Sequence, residues 1–298
     1  MAISEKQLET WSHVGSQAQS AATYKTIKAV LEDRAAPYSG RSIDVFLQGS
    51  YGNDTNVYAE SDVDIVICLT DVYRSDTSGL DPADKATYDA NFSPASYGFA
   101  EFKKDVTAWL TRNFGAGVKA RRKAIFVPGN NGRRDADVIA CIEHHRYTSY
   151  RSSYDNRYHV GITFLTTDGE RIINFPKQHL QNFTAKHHAT QSRFKPNVRV
   201  LKNMRSAMVD EGFLRDGVAP SYFLEGMLWS VPNQNFVGSF QQSFENYLYW
   251  LERCNAGELS CANDLHWLIR EGSQICWNMR DYQTFLAGAR QYWNSGHR

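Results

Sequence analysis

The spacing of apolar positions changes repeatedly along the chain, and each change marks a predicted element. Ile27, Val30 and Leu31 recur at helical intervals among good helix formers, which predicts an amphipathic helix over residues 21–35. Two β-rich runs follow, residues 42–47 (SIDVFL) and 62–69 (DVDIVICL), separated by Gly49-Ser50 and a short polar turn. Residues 70–97 are polar and punctuated by Ser, Asp, Gly and Pro, so a long surface loop is expected there. Phe99, Phe102, Val106 and Leu110 return to helical spacing and stop at Gly115. Residues 118–128 and 135–147 then read as two strands joined through Gly129-Asn130-Asn131-Gly132. From about residue 170 the pattern turns helical, with candidates at 197–212, 221–231, 243–254, 264–279 and 280–293. The expected fold class is α+β: a front part, residues 1–185, built on a mixed sheet with flanking helices, and a helical back part, residues 186–298.

Composition narrows the class of protein. With 42% hydrophobic and 22% charged residues in 298, the chain has enough apolar surface to fold and is not disordered. Thirty-three Lys and Arg against 32 Asp and Glu leave a net charge of +1, which argues against coating duplex nucleic acid by bulk charge. No stretch approaches a membrane span, and the start, MAISEKQLETW, lacks an apolar signal core, so a cytoplasmic protein without a membrane partner is expected. The five cysteines are scattered without a Cys-x-x-Cys pair and read as reduced, mostly buried thiols.

Chemistry concentrates in three short runs. Asp62 and Asp64 are two apart in a strand, so they share a face while Val63 and Ile65 point to the core. Carboxylates held so close repel unless a divalent cation lies between them, and Mg2+ favours one or two carboxylates completed by substrate phosphates. Upstream, Gly49-Ser50 offers close backbone approach and a hydroxyl suited to a triphosphate. A two-ion site needs a further carboxylate, and Asp135 and Asp137 share a face of the later strand. Asp137 is favoured because it leads into the buried run Val138-Ile139-Ala140-Cys141, whereas Asp135 follows Arg133-Arg134 at the hairpin mouth.

Gln48-Gly49-Ser50, eleven residues, then Asp62-Val63-Asp64 resembles the signature of the polymerase-β-like nucleotidyltransferases. Together FLQGSYGNDTNVYAESDVDIVICL, DADVIACIEHHRY, NFPKQHLQNFTAKH, FKPNVRVLKNMR and PSYFLEGMLW are similar to the bacterial cyclic-oligonucleotide synthases of anti-phage signalling, relatives of cyclic GMP–AMP synthase and oligoadenylate synthetase. The resemblance runs from about residue 40 to 230. It implies a nucleotidyltransferase core closed by an oligoadenylate-synthetase-like helical domain. It further implies that Asp62, Asp64 and Asp137 hold two Mg2+ or Mn2+ ions, that Gln48 and Ser50 beside Gly49 contact the donor triphosphate, and that Lys202 and Ser221 grip its phosphates. The expected reaction joins ATP, GTP or other nucleoside triphosphates into a cyclic di- or trinucleotide, with release of pyrophosphate, for a downstream effector protein. An RNA-tailing or small-molecule nucleotidyltransferase of the same fold, or a catalytically dead nucleotide sensor, is the alternative. The chain departs from many relatives at Lys186-His187-His188, where Lys-Asn is common, and at Ala140, where Pro is frequent. It also lacks the zinc-ribbon insertion of the animal DNA sensor, which weakens the case for activation by duplex DNA.

Other features have plainer readings. Arg199, Lys202 and Arg205 form a basic stripe expected on the exposed side of a helix; Arg199 is a candidate nucleotide contact and Arg205 a surface residue. Lys119, Arg121, Arg122 and Lys123 read as charges protecting a strand edge. His144-His145 and His187-His188 lack the spacing of zinc ligands, and the aromatic stripe from Phe244 to Trp293 reads as core. Ser221 is alternatively a helix N-cap, although no Glu or Gln follows three residues on to complete a capping box. Asn182, whose amide both donates and accepts, is the candidate base selector, against a plainer reading as a loop cap.

Overall fold

Valine, isoleucine and aromatic runs pair into one mixed sheet, and the helical patterns wrap around it or gather in a second unit. In this computed structural model the described residues are 2–15, 17–57, 62–273 and 275–296. The strands are β1 (Ile43–Leu47), β2 (Val63–Asp76), β3 (Lys119–Ala120), β4 (Ile125–Val127), β5 (Ala136–Tyr150), β6 (Asn156–Leu165) and β7 (Arg171–Asn174). The helices are α1 (Glu5–Ser12), α2 (Ala18–Leu31), α3 (Gly49–Gly52), α4 (Pro82–Asn91), α5 (Phe99–Phe114), α6 (Pro176–Ala189), α7 (Phe194–Asp210), α8 (Ser221–Ser230), α9 (Phe240–Leu251) and α10 (Met279–Ser295).

The sheet runs β1-β2-β5-β4-β3, with β6 on β5 and β7 on β6. β2 and β5 are parallel, and the other pairs are antiparallel. Val66, Cys68, Ile139, Cys141, Ile162 and Phe164 pack together as alternate residues of three strands. The chain groups into two compact units, Ala18–Gln48 with Ser61–Pro176, and Met1–Gln17 with Gly49–Glu60 and Lys177–Arg298. The first holds the sheet. The second is helical, and its core draws on Phe194, Met204, Leu224, Phe244, Phe285 and Trp293.

Two expectations are corrected here. Residues 70–97 are not one loop: β2 continues to Asp76, past an irregularity between Leu69 and Tyr73, and α4 follows. The extension exists because Tyr73–Asp76 pair with Glu143–Arg146, a non-local ladder that local polarity does not reveal. For α4 the sequence held a signal, since Asp81 caps the N–H groups of Ala83 and Asp84 and Pro82 opens the helix. Residues 264–273 and 275–278, inside the expected helix 264–279, are not helical; Gln274 lies outside the described residues. Asp264 (φ 56°) and Gly272 (φ 70°) take left-handed conformations, and Ile269 bridges Trp277, so apolar spacing there serves packing against the second core. Of the polar turn expected between the first two strands, residues 58–61 also lie outside the described residues.

Candidate active site

The carboxylate group stands at the start of the parallel pair. Asp64 of β2 lies in register with Asp137 of β5, and Val63 with Ala136. Neighbouring strands are about 4.8 Å apart and side chains alternate, so Asp64 and Asp137 leave the same face side by side. Asp62 precedes the strand by one residue and is exposed. Burial pushes the half-buried Asp137 carboxyl above its ordinary range; Arg121 pulls it back, and the charges of Asp62 and Asp135 push it further up. Arg121 reaches Asp137 at 3.4 Å while lying over the Phe126 ring at 3.7 Å. It therefore does more than shield an edge. Arg122, beside it, pairs with Asp168 and Glu170.

Asp135 is placed differently. It is exposed, its carboxylate accepts the Gly129 N–H at 2.6 Å, and its carbonyl accepts the Val63 N–H at 3.2 Å. It closes the hairpin turn. Gln48 follows β1, donates its N–H to the Asp64 carbonyl at 3.0 Å, and keeps a buried side-chain Oε1 without a hydrogen-bond partner.

The donor chemistry of the three aspartates suits a hard divalent cation, and the Asp137 carboxyl, raised first by burial and further by the charges of Asp62 and Asp135, is one that a cation would favour in its ionised form. Among the described residues no group of three His, Cys, Asp or Glu side chains is already arranged to hold a metal ion. An ion here would need oxygens from a bound triphosphate to complete its shell, as Mg2+ sites commonly do.

The helical unit carries the other predicted residues. Gly49 takes φ 67°, a conformation open to glycine, and starts α3; the Ser50 carbonyl accepts the Thr55 N–H at 2.9 Å. The Ser50 side chain is half-buried. Lys202 is 0% exposed, with Nζ 3.1 Å from the Thr55 carbonyl and 3.2 Å from Glu225 Oε1. Glu225 also accepts from the Thr55 hydroxyl at 2.5 Å and from Asn53 Nδ2 at 3.3 Å, and lies 3.1 Å from His179 Nε2. Burial alone would raise the Glu225 carboxyl; the Lys202 charge, with His179 and the Thr55 hydroxyl, overcomes it and holds it at about 2.

The expected exposed stripe on α7 is thus overturned. Arg199 and Lys202 are buried, because segment 53–57 and the end of α1 cover that side of the helix. Arg199 donates to the Ser12 and Asp54 carbonyls, and burial lowers its pKa to about 10. Arg205, expected on the surface, is half-buried and donates to the Ala219 carbonyl at 2.8 Å and the Ser221 hydroxyl at 3.4 Å. Ser221 is the first residue of α8, and the N-cap is Pro220. Asn182 lies within α6 rather than a loop, and its Nδ2 donates to the Ala262 carbonyl at 2.8 Å. His187 Nδ1 accepts the Lys195 N–H at 3.4 Å.

Sequence reasoning missed Glu225, His179, Asn53 and Thr55. One signal was available: Glu225 is a lone acid among Leu224, Met227 and Leu228, and a charge in an apolar helical run implies a buried partner.

Residues 181–294 match the family model of the cGAS/DncV-like nucleotidyltransferase C-terminal helical domain. The chain is 34% identical to a cyclic UMP-AMP synthase of Rhodothermus marinus, over 98% of each chain. It is also 34% identical to a cyclic dipurine nucleotide synthase of Elizabethkingia meningoseptica, over 95% of this chain and all of that one. Among solved structures it is similar to the Rhodothermus marinus c-UMP-AMP synthase with Apcpp and Upnpp, at a TM-score of 0.89 and 33% identity over 99% of this chain and 98% of the other. The described residues include no helix long and apolar enough to cross a membrane.

Proposed function

Because the chain belongs to the cGAS/DncV-like nucleotidyltransferases, the bacterial cyclic nucleotide synthases, we propose that it condenses two nucleoside triphosphates into a cyclic dinucleotide and releases pyrophosphate. The observation that carries this reading is Asp64 in register with Asp137 on adjacent parallel strands, next to the chain segment of Gln48. In this reading residues 1–185 supply the catalytic core and residues 186–298 the helical domain. Asp62, Asp64 and Asp137 would hold two Mg2+ or Mn2+ ions together with the triphosphate, and such ions would supply Lewis acidity toward the α-phosphorus and the leaving pyrophosphate.

The protein's own groups do the rest. Asp137, with its carboxyl pushed up by burial, takes the proton of the acceptor hydroxyl on its carboxylate oxygen. Gln48, whose buried side-chain Oε1 has no hydrogen-bond partner, turns its amide toward the donor triphosphate. Gly49 allows close backbone approach, Ser50 contributes its hydroxyl, and Ser221 contacts phosphate from the first turn of α8. Lys202 and Arg199 act at one remove: they hold the Thr55 and Asp54 carbonyls, and so fix the segment that begins with Gly49-Ser50. Asn182 is the proposed base selector through its carbonyl oxygen. The substrates are ATP, GTP or pyrimidine triphosphates, and the cyclic product acts in the cytoplasm on an effector protein in anti-phage defence.

The test is to incubate the protein with all four NTPs and Mg2+ or Mn2+, and to identify phosphatase-resistant products by mass spectrometry. Cyclic dinucleotides that vanish with EDTA are expected. Linear tails, nucleotidylated small molecules or no pyrophosphate release would overturn the reading.

A further inference from the structure

The sheet carries a second polar concavity far from the aspartates. Arg74 and Asp76 of β2, His144 of β5 and Arg171 and Ile173 of β7 line a cavity of about 530 Å³, which the 77–80 turn and Lys85 of α4 border. Arg74 is in register with His144, and His144 with Gly161 of β6. Along β5 His144 lies seven positions beyond Asp137, roughly 23 Å at about 3.3 Å per residue, and an odd separation puts the two on opposite faces. The cavity therefore lies outside the carboxylate site.

Three observations give it a ligand's chemistry. His144 is 1% exposed, and neither ring nitrogen has a hydrogen-bond partner. A buried imidazole always carries at least one N–H, and leaving it unpaired costs free energy that a bound acceptor would recover. Arg74 makes no ion pair among the described residues, and Arg171 reaches only the Thr163 hydroxyl, at 3.5 Å, among its hydrogen-bond partners. Burial and then the charge of Arg74 hold the Arg171 guanidinium below its ordinary pKa, so two like charges face one space. The wall's own acid is compensated: Asp76 lies 3.3 Å from Arg146 and accepts from the Ser78 hydroxyl at 2.6 Å and N–H at 3.0 Å. Lys85 pairs with Asp89 at 2.7 Å on the rim. Burial lowers His144 to about 4, so the ring is neutral at physiological pH and offers one N–H.

We propose that this cavity binds a small phosphorylated molecule, its phosphoryl group held between the guanidiniums of Arg74 and Arg171 with a hydrogen bond from His144. Guanidinium forks match phosphate oxygens in pairs, which is why arginine rather than lysine suits such a site. The volume exceeds what one phosphate fills and accommodates a group of nucleotide size. Pyrophosphate and a nucleoside monophosphate share the required chemistry, and the experiment separates them. The inference does not rest on the reading of the aspartate site.

The test is calorimetric titration in EDTA with pyrophosphate and with AMP, in separate arms, at constant ionic strength. It uses the wild type, Arg74→Gln/Arg171→Gln, His144→Phe, and Asp62→Asn/Asp64→Asn as a control. The expected result is saturable binding of at least one probe, tenfold or more weaker in the arginine double variant and reduced in His144→Phe, but unchanged in the aspartate control. The stronger probe tells whether the cavity prefers the bare diphosphate or a nucleotide. In parallel, phenylglyoxal modification of Arg74 and Arg171 in the wild type is mapped by mass spectrometry with and without saturating probe, which needs no variant to fold. Protection of both arginines is expected. No saturable binding, loss only in the aspartate control, or unprotected arginines at saturation would overturn the proposal.

Discussion

The aspartates at the head of β2 and β5 and the Lys202–Glu225 cluster are both groups of charged side chains, yet the fold treats them in opposite ways. At the strands, Asp137 stands in register with Asp64 and is left with a carboxyl pushed up by burial and by the charges of Asp62 and Asp135. In the helical unit the buried Glu225 carboxylate is answered: it takes hydrogen bonds or ion pairs from Lys202, Thr55, Asn53 and His179 within about 3.3 Å. A site built to meet a substrate keeps electrostatic work undone. A cluster that completes its own pairing does structural work, and here it anchors the segment that carries Gly49-Ser50.

The largest expected effect falls on the strands. Asp62→Asn with Asp64→Asn should abolish turnover, a loss beyond the roughly 10³-fold of one transition-state contact, while the melting temperature stays level or rises as repulsion is relieved. Product assay and calorimetry on one preparation check both halves, and a large drop in melting temperature would erase the contrast between the two regions.

Lys202→Met should act the other way, on stability first. It leaves the Glu225 carboxylate buried without its main countercharge, at a cost of roughly 3–5 kcal/mol, and the Lys202→Met/Glu225→Leu pair should recover much of it. Urea unfolding of the single and double variants measures the coupling. If Lys202→Met instead keeps full stability and raises KM for NTP, the lysine touches phosphate directly and the comparison fails.

Asp137→Asn should lower turnover far more than Asp135→Asn, whose carboxylate only closes the turn at Gly129. Steady-state kinetics of the two variants rank them, and the reverse order would mean that the register seen between β2 and β5 is not the functional one.

Acid sharpens the helical side. Glu225 has a folded pKa of about 2, below its ordinary 4.5, so the unfolded chain binds the proton more readily. Its contribution is fully present above about pH 4.5 and is lost as pH falls toward 2. The wild type should therefore lose more stability than Glu225→Gln between pH 5 and 2, read from urea midpoints. Equal losses would remove Glu225 from the ledger of acid stability.

The smallest effect concerns base choice. Two relatives, each 34% identical to this chain, are a cyclic UMP-AMP synthase and a cyclic dipurine nucleotide synthase, so base choice varies among relatives of similar identity. Asn182→Ser should shift the base composition of the product at near-normal turnover, measured in an equimolar NTP mixture. An unchanged mixture would leave Asn182 as a bond to Ala262 and nothing more.

Local order determined much of this protein. The alternation of Val63, Ile65 and Ile67 made β2 legible and aimed Asp62 and Asp64 together, and the spacing of Phe99, Phe102, Val106 and Leu110 made α5 legible up to Gly115. These signals lie within a few residues of the groups they position, where strand and helix periods act directly. Tertiary structure alone decided the rest. The preference for Asp137 over Asp135 could be reasoned from the buried run that follows it, but its register against Asp64 joins strands more than seventy positions apart in the numbering. Whether Lys202 faced water or Glu225 depended on segment 53–57 returning to cover α7, and whether residues 70–76 were loop or strand depended on a partner at 143–146. Burial and pairing are properties of what lies opposite, and a sequence read along its own length does not contain the opposite wall.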